Sequence, residues 1–187
     1  MGNKKIKEDQ AEKAKQTEIV VVLDRSGSMQ SIAGSTVDGF NTFLNEQQNA
    51  EGEAFMTLVQ FDDRYEVEYK SVPVSEVKPL INGETFKPRG MTALLDAIGK
   101  TINELETDRD VVFVIITDGD ENSSREYKRD AIMTMIKTLE DEKGWYFLFL
   151  GANQDAIAAG GGMGISGNKS FTYSATDDGT ASAFASF

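Results

Sequence analysis

Asp24-Arg25-Ser26-Gly27-Ser28 sets a carboxylate and two hydroxyls at alternate positions of one short polar segment. Two more polar segments stand further along, Arg89-Gly90-Met91-Thr92 and Ile116-Thr117-Asp118-Gly119. Asp24, Ser26, Ser28, Thr92 and Asp118 in them offer two carboxylates and three hydroxyls, a set of hard oxygen donors that suits Mg²⁺, Ca²⁺ or Mn²⁺. The rest of the composition narrows the chemistry. The 187-residue chain contains neither cysteine nor histidine. That removes disulfides, thiolate zinc sites, thiol nucleophiles, the commonest general base and any Ser-His-Asp triad. Thirty-one acidic residues against 19 basic ones give a formal charge of -12. Such a surface repels phosphate backbones and anionic lipid, so neither nucleic acid nor a membrane is the expected partner.

These residues must be positioned by regular elements, and the hydrophobic pattern supplies them. Ile19 to Leu23 is a continuous apolar run that reads as a buried strand and ends at Asp24. Ile32, Val37, Phe40, Phe43 and Leu44 follow at helical spacing. Ala54 to Phe61 reads as a second strand, and Tyr65, Val67 and Tyr69 alternate with charged residues in a third. Asp62 and Asp63 occupy the hairpin turn between them. Thr92 opens a helical run through Leu94, Leu95, Ile98, Ile102 and Leu105. Val111 to Ile116 is a strand that leads into Asp118, and Tyr127 to Leu139 marks another helix. Trp145 to Leu150 is a further strand, and a short one is expected around Phe171 and Tyr173. Apolar strands alternating with amphipathic helices imply an α/β fold, a doubly wound, mostly parallel sheet with helices on both faces. The segment from Arg64 to Lys70 is its antiparallel edge strand. In such sheets ligands bind beyond the carboxyl ends of the strands, where these polar segments fall.

In this order the pieces resemble the von Willebrand factor A (integrin I-type) family, whose metal-ion-dependent adhesion site pairs Asp-x-Ser-x-Ser with a distant Thr and a distant Asp. The resemblance runs from about Thr17 to the carboxyl end. It implies a metal site at Asp24, Ser26, Ser28, Thr92 and Asp118. By the same resemblance Ser26 and Ser28 bind the ion directly, and Asp24 and Asp118 act largely through waters. Thr92 switches between direct and water-mediated contact, and one position stays open for an acidic side chain of a partner. The resemblance thus implies a divalent-metal-dependent protein-binding module, with Mg²⁺ as the cofactor and Mn²⁺ or Ca²⁺ as substitutes, and no catalytic residues. The short layout resembles stand-alone bacterial or bacteriophage members.

Each piece also has an ordinary reading. Ser28 and Thr92 suit helix caps, Asp96 a solvent-facing position, and Asp118-Gly119 a turn. Asp120, Glu121, Arg125 and Glu126 read as charges solvating a helix start, whereas Arg25 and Arg89 are the candidates for partner contacts. Gly162-Met163-Gly164-Ile165-Ser166-Gly167 matches a dinucleotide fingerprint but follows no strand, so a flexible loop is expected. The segment from Asp118 breaks the EF-hand pattern at Ser123 and Arg129. Two other functions compete: a Mg²⁺-dependent phosphoryl-transfer enzyme with Asp24 as nucleophile, and an assembly subunit with a vestigial metal site. The enzyme is disfavoured because Ser26 stands where a second carboxylate belongs. Residues 1–16 read as a charged tail with neither a secretory signal nor a membrane span, giving a cytoplasmic expectation. Residues 17–187 form the domain, with a final helix that begins near Asp177 and is cut short after barely two turns.

Overall fold

The computed structural model describes residues 16–118, 121–152 and 155–173. Strand β1 (Thr17–Asp24) leads through a 3₁₀ turn at Gly27–Ile32 into helix α1 (Ala33–Asn49). Strands β2 (Ala54–Phe61) and β3 (Tyr65–Pro73) form a hairpin, followed by α2 (Leu94–Glu104) and β4 (Asp110–Thr117). The chain continues through α3 (Arg129–Lys143), β5 (Tyr146–Ala152), α4 (Ala156–Gly161) and β6 (Ser170–Tyr173). One six-stranded sheet results, ordered β3-β2-β1-β4-β5-β6. All neighbours are parallel except β2 and β3.

The strands are apolar on both sides because both faces are covered. Val21 and Leu23 pack with Phe40, Phe43 and Leu44 of α1. Val20 and Val22 face the other way, toward Ile98 and Ile102 of α2 and Ile132 and Ile136 of α3. Alternate residues of one strand thereby enter opposite layers, as the two-residue repeat of a strand requires. The doubly wound sheet with one antiparallel edge strand is therefore present as expected. Among the described residues no helix is long and apolar enough to cross a membrane.

Several details differ from the sequence reading. Helix α2 begins at Leu94, two residues after Thr92, and β3 runs on to Pro73. The Gly162–Gly167 segment is anchored by fully buried Met163 and Ile165, which press into the α2 and α3 layer. It follows the unforeseen helix α4 and follows no strand. The charged tail up to residue 15 and the final helix beyond residue 173 lie outside the described residues.

At the end of the sheet remote from the polar loops, β1 carries a carboxylate, Glu18, that is 0% exposed. It accepts hydrogen bonds from Thr57 Oγ1 at 2.7 Å, Ser71 Oγ at 2.8 Å and Arg109 Nη1 at 2.9 Å. The Arg109 guanidinium also lies 3.5 Å above the centre of the Phe55 ring. A bulge makes this geometry possible. Leu58 pairs with Tyr69 and Met56 with Val72, so three steps on β3 face two on β2. Ser71 takes up the extra residue with φ 51°, and its amide donates to Thr57 Oγ1 at 2.9 Å. Removing one member of a buried, hydrogen-bonded charge set leaves the others desolvated and unpaired. Glu18→Ala should lower unfolding free energy by on the order of 3 kcal/mol. Urea denaturation would check this, and an unchanged midpoint would contradict it.

Candidate metal centre

The carboxyl ends of β1 and β4 lie side by side, since Leu23 pairs with Ile116. That register brings the loop after β1 against the residues after Thr117. The Ser26 amide donates to Asp24 Oδ1 at 2.6 Å, and the Thr117 hydroxyl donates to Asp24 Oδ2 at 2.5 Å. The Ser26 and Ser28 hydroxyl oxygens meet at 3.1 Å, and Ser28 Oγ donates to Asp118 Oδ1 at 2.7 Å. A continuous hydrogen-bonded path therefore joins Asp24, Ser26, Ser28 and Asp118. Asp24 and Ser26 are buried, Asp118 is half-buried, and Ser28 is exposed. Thr92 reaches this group by a different route. Among the described residues its hydroxyl is not part of the path, but its loop is tied by hydrogen bonds to the segments on either side.

The first connection runs through Asp62. Its carboxylate is 0% exposed and accepts from Arg25 Nε at 3.1 Å and Arg89 Nε at 2.8 Å. Glu66 Oε1 lies 2.7 Å from a terminal nitrogen of each arginine. Two guanidiniums thus share two carboxylates, with Arg25 from the Ser26 loop and Arg89 from the Thr92 loop. Backbone bonds reinforce them: Arg89 N to Arg25 O at 2.8 Å, Gly27 N to Gly90 O at 3.2 Å and Ala93 N to Asp62 O at 3.0 Å. Gly90 has φ 69°, a left-handed backbone that favours glycine, and its nearest side-chain neighbour is the exposed Asp63 carboxylate.

The second connection joins the Thr92 loop to the segment after β4. The Thr92 amide donates to Asn122 Oδ1 at 2.9 Å, while Asn122 N and Ser123 N donate to the Thr92 carbonyl at 3.0 and 3.1 Å. Glu121 accepts the Leu95 amide at 2.9 Å, covering the start of α2. Asp96 returns the arrangement, accepting the amides of Arg125, Glu126 and Tyr127 at 2.8, 2.9 and 2.8 Å. Each carboxylate satisfies backbone donors of the other segment, which would otherwise be orphaned.

These contacts correct several sequence expectations. Asp96 does not merely face solvent. Ser26, Ser28 and Thr92 cap no helix with their side chains: the residue before α2 is Ala93, and no side-chain bond covers the 3₁₀ turn. Glu121 binds amides and does not simply solvate a helix start. Arg25 is 5% exposed and engaged inside, so it is no surface contact for a partner, whereas Arg89 remains partly open. Asp62 and Glu66 were missed as organising residues. The only available signal was an acidic hairpin turn beside two arginine-bearing loops.

Burial pushes the Asp24 carboxyl up to about 6, against the lowering effect of its bonds from Thr117 and Ser26. Burial likewise raises Asp118, opposed by the bond from Ser28. Among the described residues no three acidic side chains gather into a cation cage. Two carboxylates beside neutral hydroxyls make a hard oxygen set that a divalent cation would fit. A nucleophilic role for Asp24 finds no support, because it is 0% exposed and both its oxygens accept hydrogen bonds.

A family model described as the von Willebrand factor type A domain matches residues 18–185. No curated protein matches the sequence. Among solved structures, proximal thread matrix protein 1 from the mussel byssus, with a zinc-occupied MIDAS motif, is 16% identical with a TM-score of 0.65. The match covers 92% of this chain and 44% of the mussel protein. The pilus adhesin SpaC from Lactobacillus rhamnosus GG, in an open conformation, is 15% identical with a TM-score of 0.69, over 92% of this chain and 29% of the adhesin. The vWF domain of the type V pili tip protein Mfa5 from Porphyromonas gingivalis is 11% identical with a TM-score of 0.63, over 92% and 93% of the two chains. These likenesses establish a shared fold. The chain spans less than half of the mussel protein.

The Asp62 arrangement generates a test that needs no metal. Asp62→Ala would leave the buried Arg25 guanidinium with only Glu66, and should destabilise the fold by on the order of 3 kcal/mol. Arg89→Ala should cost far less, because the Arg89 side chain is 43% exposed whereas that of Arg25 is buried. Denaturant titrations of both variants check the order, and a larger loss for Arg89→Ala would reverse it.

Proposed function

We propose, from the premise that the chain belongs to the von Willebrand factor type A domain family, that it is a metal-dependent protein-binding module and not an enzyme. The observation that carries this reading is the hydrogen-bonded path from Asp24 through Ser26 and Ser28 to Asp118. It gathers hard oxygen donors and reaches the surface at exposed Ser28. In the proposed site Ser26 and Ser28 hold the cation directly, Asp24 and Asp118 support it, and Thr92 lies beside them. Mg²⁺ is the proposed ion, with Mn²⁺ or Ca²⁺ as substitutes. It supplies an electron-poor centre on which a partner's carboxylate can complete the coordination.

The charge count explains why the captured group is acidic. Neutral hydroxyls leave a divalent ion incompletely neutralised, so an added carboxylate gains a strong short-range attraction. Without the ion, Asp24 and Asp118 face that carboxylate on a chain already carrying charge -12. Attraction then becomes repulsion. The pilus adhesin SpaC and the pili tip protein Mfa5 share this fold, in keeping with a role in interaction.

Calorimetry with Mg²⁺ and Mn²⁺ should give one site of modest affinity, because few ligands come from the protein. Asp118→Ala and the pair Ser26→Ala with Ser28→Ala should lose it while thermal unfolding stays cooperative. Equal binding by wild type and Asp118→Ala would remove the assignment. Affinity capture in Mg²⁺ and again in chelator then separates the readings. A partner retained only with metal, and lost on changing one of its Asp or Glu residues, supports the module. A partner held equally in chelator, with the fold intact, points to an assembly role for another surface.

A further inference from the structure

A groove of about 290 Å³ opens beside the candidate metal loops. Its continuity with them is set by the chain, since lining residues Met91 and Ala93 flank Thr92 and lining residue Ser123 bonds the Thr92 carbonyl. Some charges along it are already satisfied. Lys100 is paired with Glu126 at 2.7 Å, and Asp96 accepts three backbone amides. Arg64 and Arg125 are exposed and make no ion pair among the described residues, and the lining as a whole, with three basic and three acidic side chains, is formally neutral on a chain of charge -12. Met91 is 53% exposed at the rim. The Ser123 hydroxyl oxygen is buried and has no hydrogen-bond partner among the described residues. A buried hydroxyl left unpaired is costly and is relieved by a ligand that brings its own polar group.

We propose that this groove binds a second carboxylate of the same partner segment, so that the recognised sequence is an acidic stretch and not an isolated acidic residue. The inference rests on the metal-dependent reading above and adds a subsite to it. Its basis is charge complementarity. On a strongly acidic chain a formally neutral groove with two guanidiniums that make no ion pair among the described residues is the local exception, and a guanidinium matches a carboxylate in two-point geometry. Met91 offers an apolar contact between the two acidic anchors. Exposed charge pairs contribute little individually, so the subsite should act mainly on selectivity and association rate.

The test uses two synthetic peptides of equal length on the full chain. One carries a single Asp in a Gly/Ser/Leu background, and the other carries further Glu residues beside that Asp. Binding is followed by fluorescence anisotropy in Mg²⁺ and in chelator. The variants are Arg64→Glu with Arg125→Glu, and the milder Arg64→Gln with Arg125→Gln. In Mg²⁺ the multiply acidic peptide should bind wild type at least about fivefold more tightly. Both variants should reduce that advantage, the charge reversal abolishing it, without changing the singly acidic peptide or Mg²⁺ affinity by calorimetry. Equal binding of the two peptides to wild type, or an advantage that survives charge reversal, overturns the subsite. The metal reading fails separately if the singly acidic peptide binds equally in chelator. If neither peptide binds in Mg²⁺, both are overturned.

Discussion

The geometry at the carboxyl end of the sheet depends on one shared ion arrangement. Asp62, buried at the β2–β3 turn, holds Arg25 from one loop and Arg89 from another on the same carboxylate oxygen. A buried carboxylate without cations is costly, and so is a buried arginine without a carboxylate, so Asp62 and Arg25 cannot part cheaply. The two loops are therefore spaced by electrostatic need and not by their own conformational preference. Asp96 and Glu121 do the corresponding work between the Thr92 loop and the segment after β4. In each case the residue that fixes the distance lies outside the five candidate ligands. The ligating set can remain mostly neutral because the positioning is done by other charges.

That division matters for how the centre behaves. A cage of carboxylates would hold a cation tightly and present a closed, saturated face. Here two aspartates stand among three neutral hydroxyls, and the exposed donor is a serine hydroxyl. Such a set neutralises a cation poorly, leaving reason for an outside anion to approach. In the proposed reading, the remaining acidity of the chain would disfavour anions that do not reach the cation, a contribution to selectivity made without contact.

Much of the fold was legible because its signals are dense. Val20 to Leu23 and Val111 to Ile116 are apolar on both faces, which only a sheet covered twice explains. The positions of Asp24, Ser26, Ser28 and Asp118 followed from strand ends, since adjacent parallel strands bring their exits together. The carboxylates that brace the loops were not legible. Asp62, Asp96 and Glu121 look like turn or surface residues, and nothing local shows that they turn toward partners some thirty residues away. Glu18 was hidden in the same manner. Its burial depends on a bulge at Ser71 and on Arg109, both distant along the chain. Gly162–Gly167 misled in the opposite sense, because its glycines suggested freedom while Met163 and Ile165 anchor it. Hydrophobic period reports which face is buried. It is silent on the direction a lone charge takes.

The order of strands also has a consequence for synthesis. Strand β1 sits between β2 and β4, pairing Thr17 with Ala54 on one side and with Asp110 on the other. As the chain emerges from a ribosome, β1 and β2 can pair early, but the second edge of β1 waits until β4 has been made. During that interval a run of valines and leucine presents open backbone groups, a template for pairing with another nascent chain. The hairpin partner β3 protects only the far side of β2. Shielding of β1 must then come from α1 on one face and from the pace of elongation, or from a chaperone that recognises extended apolar segments.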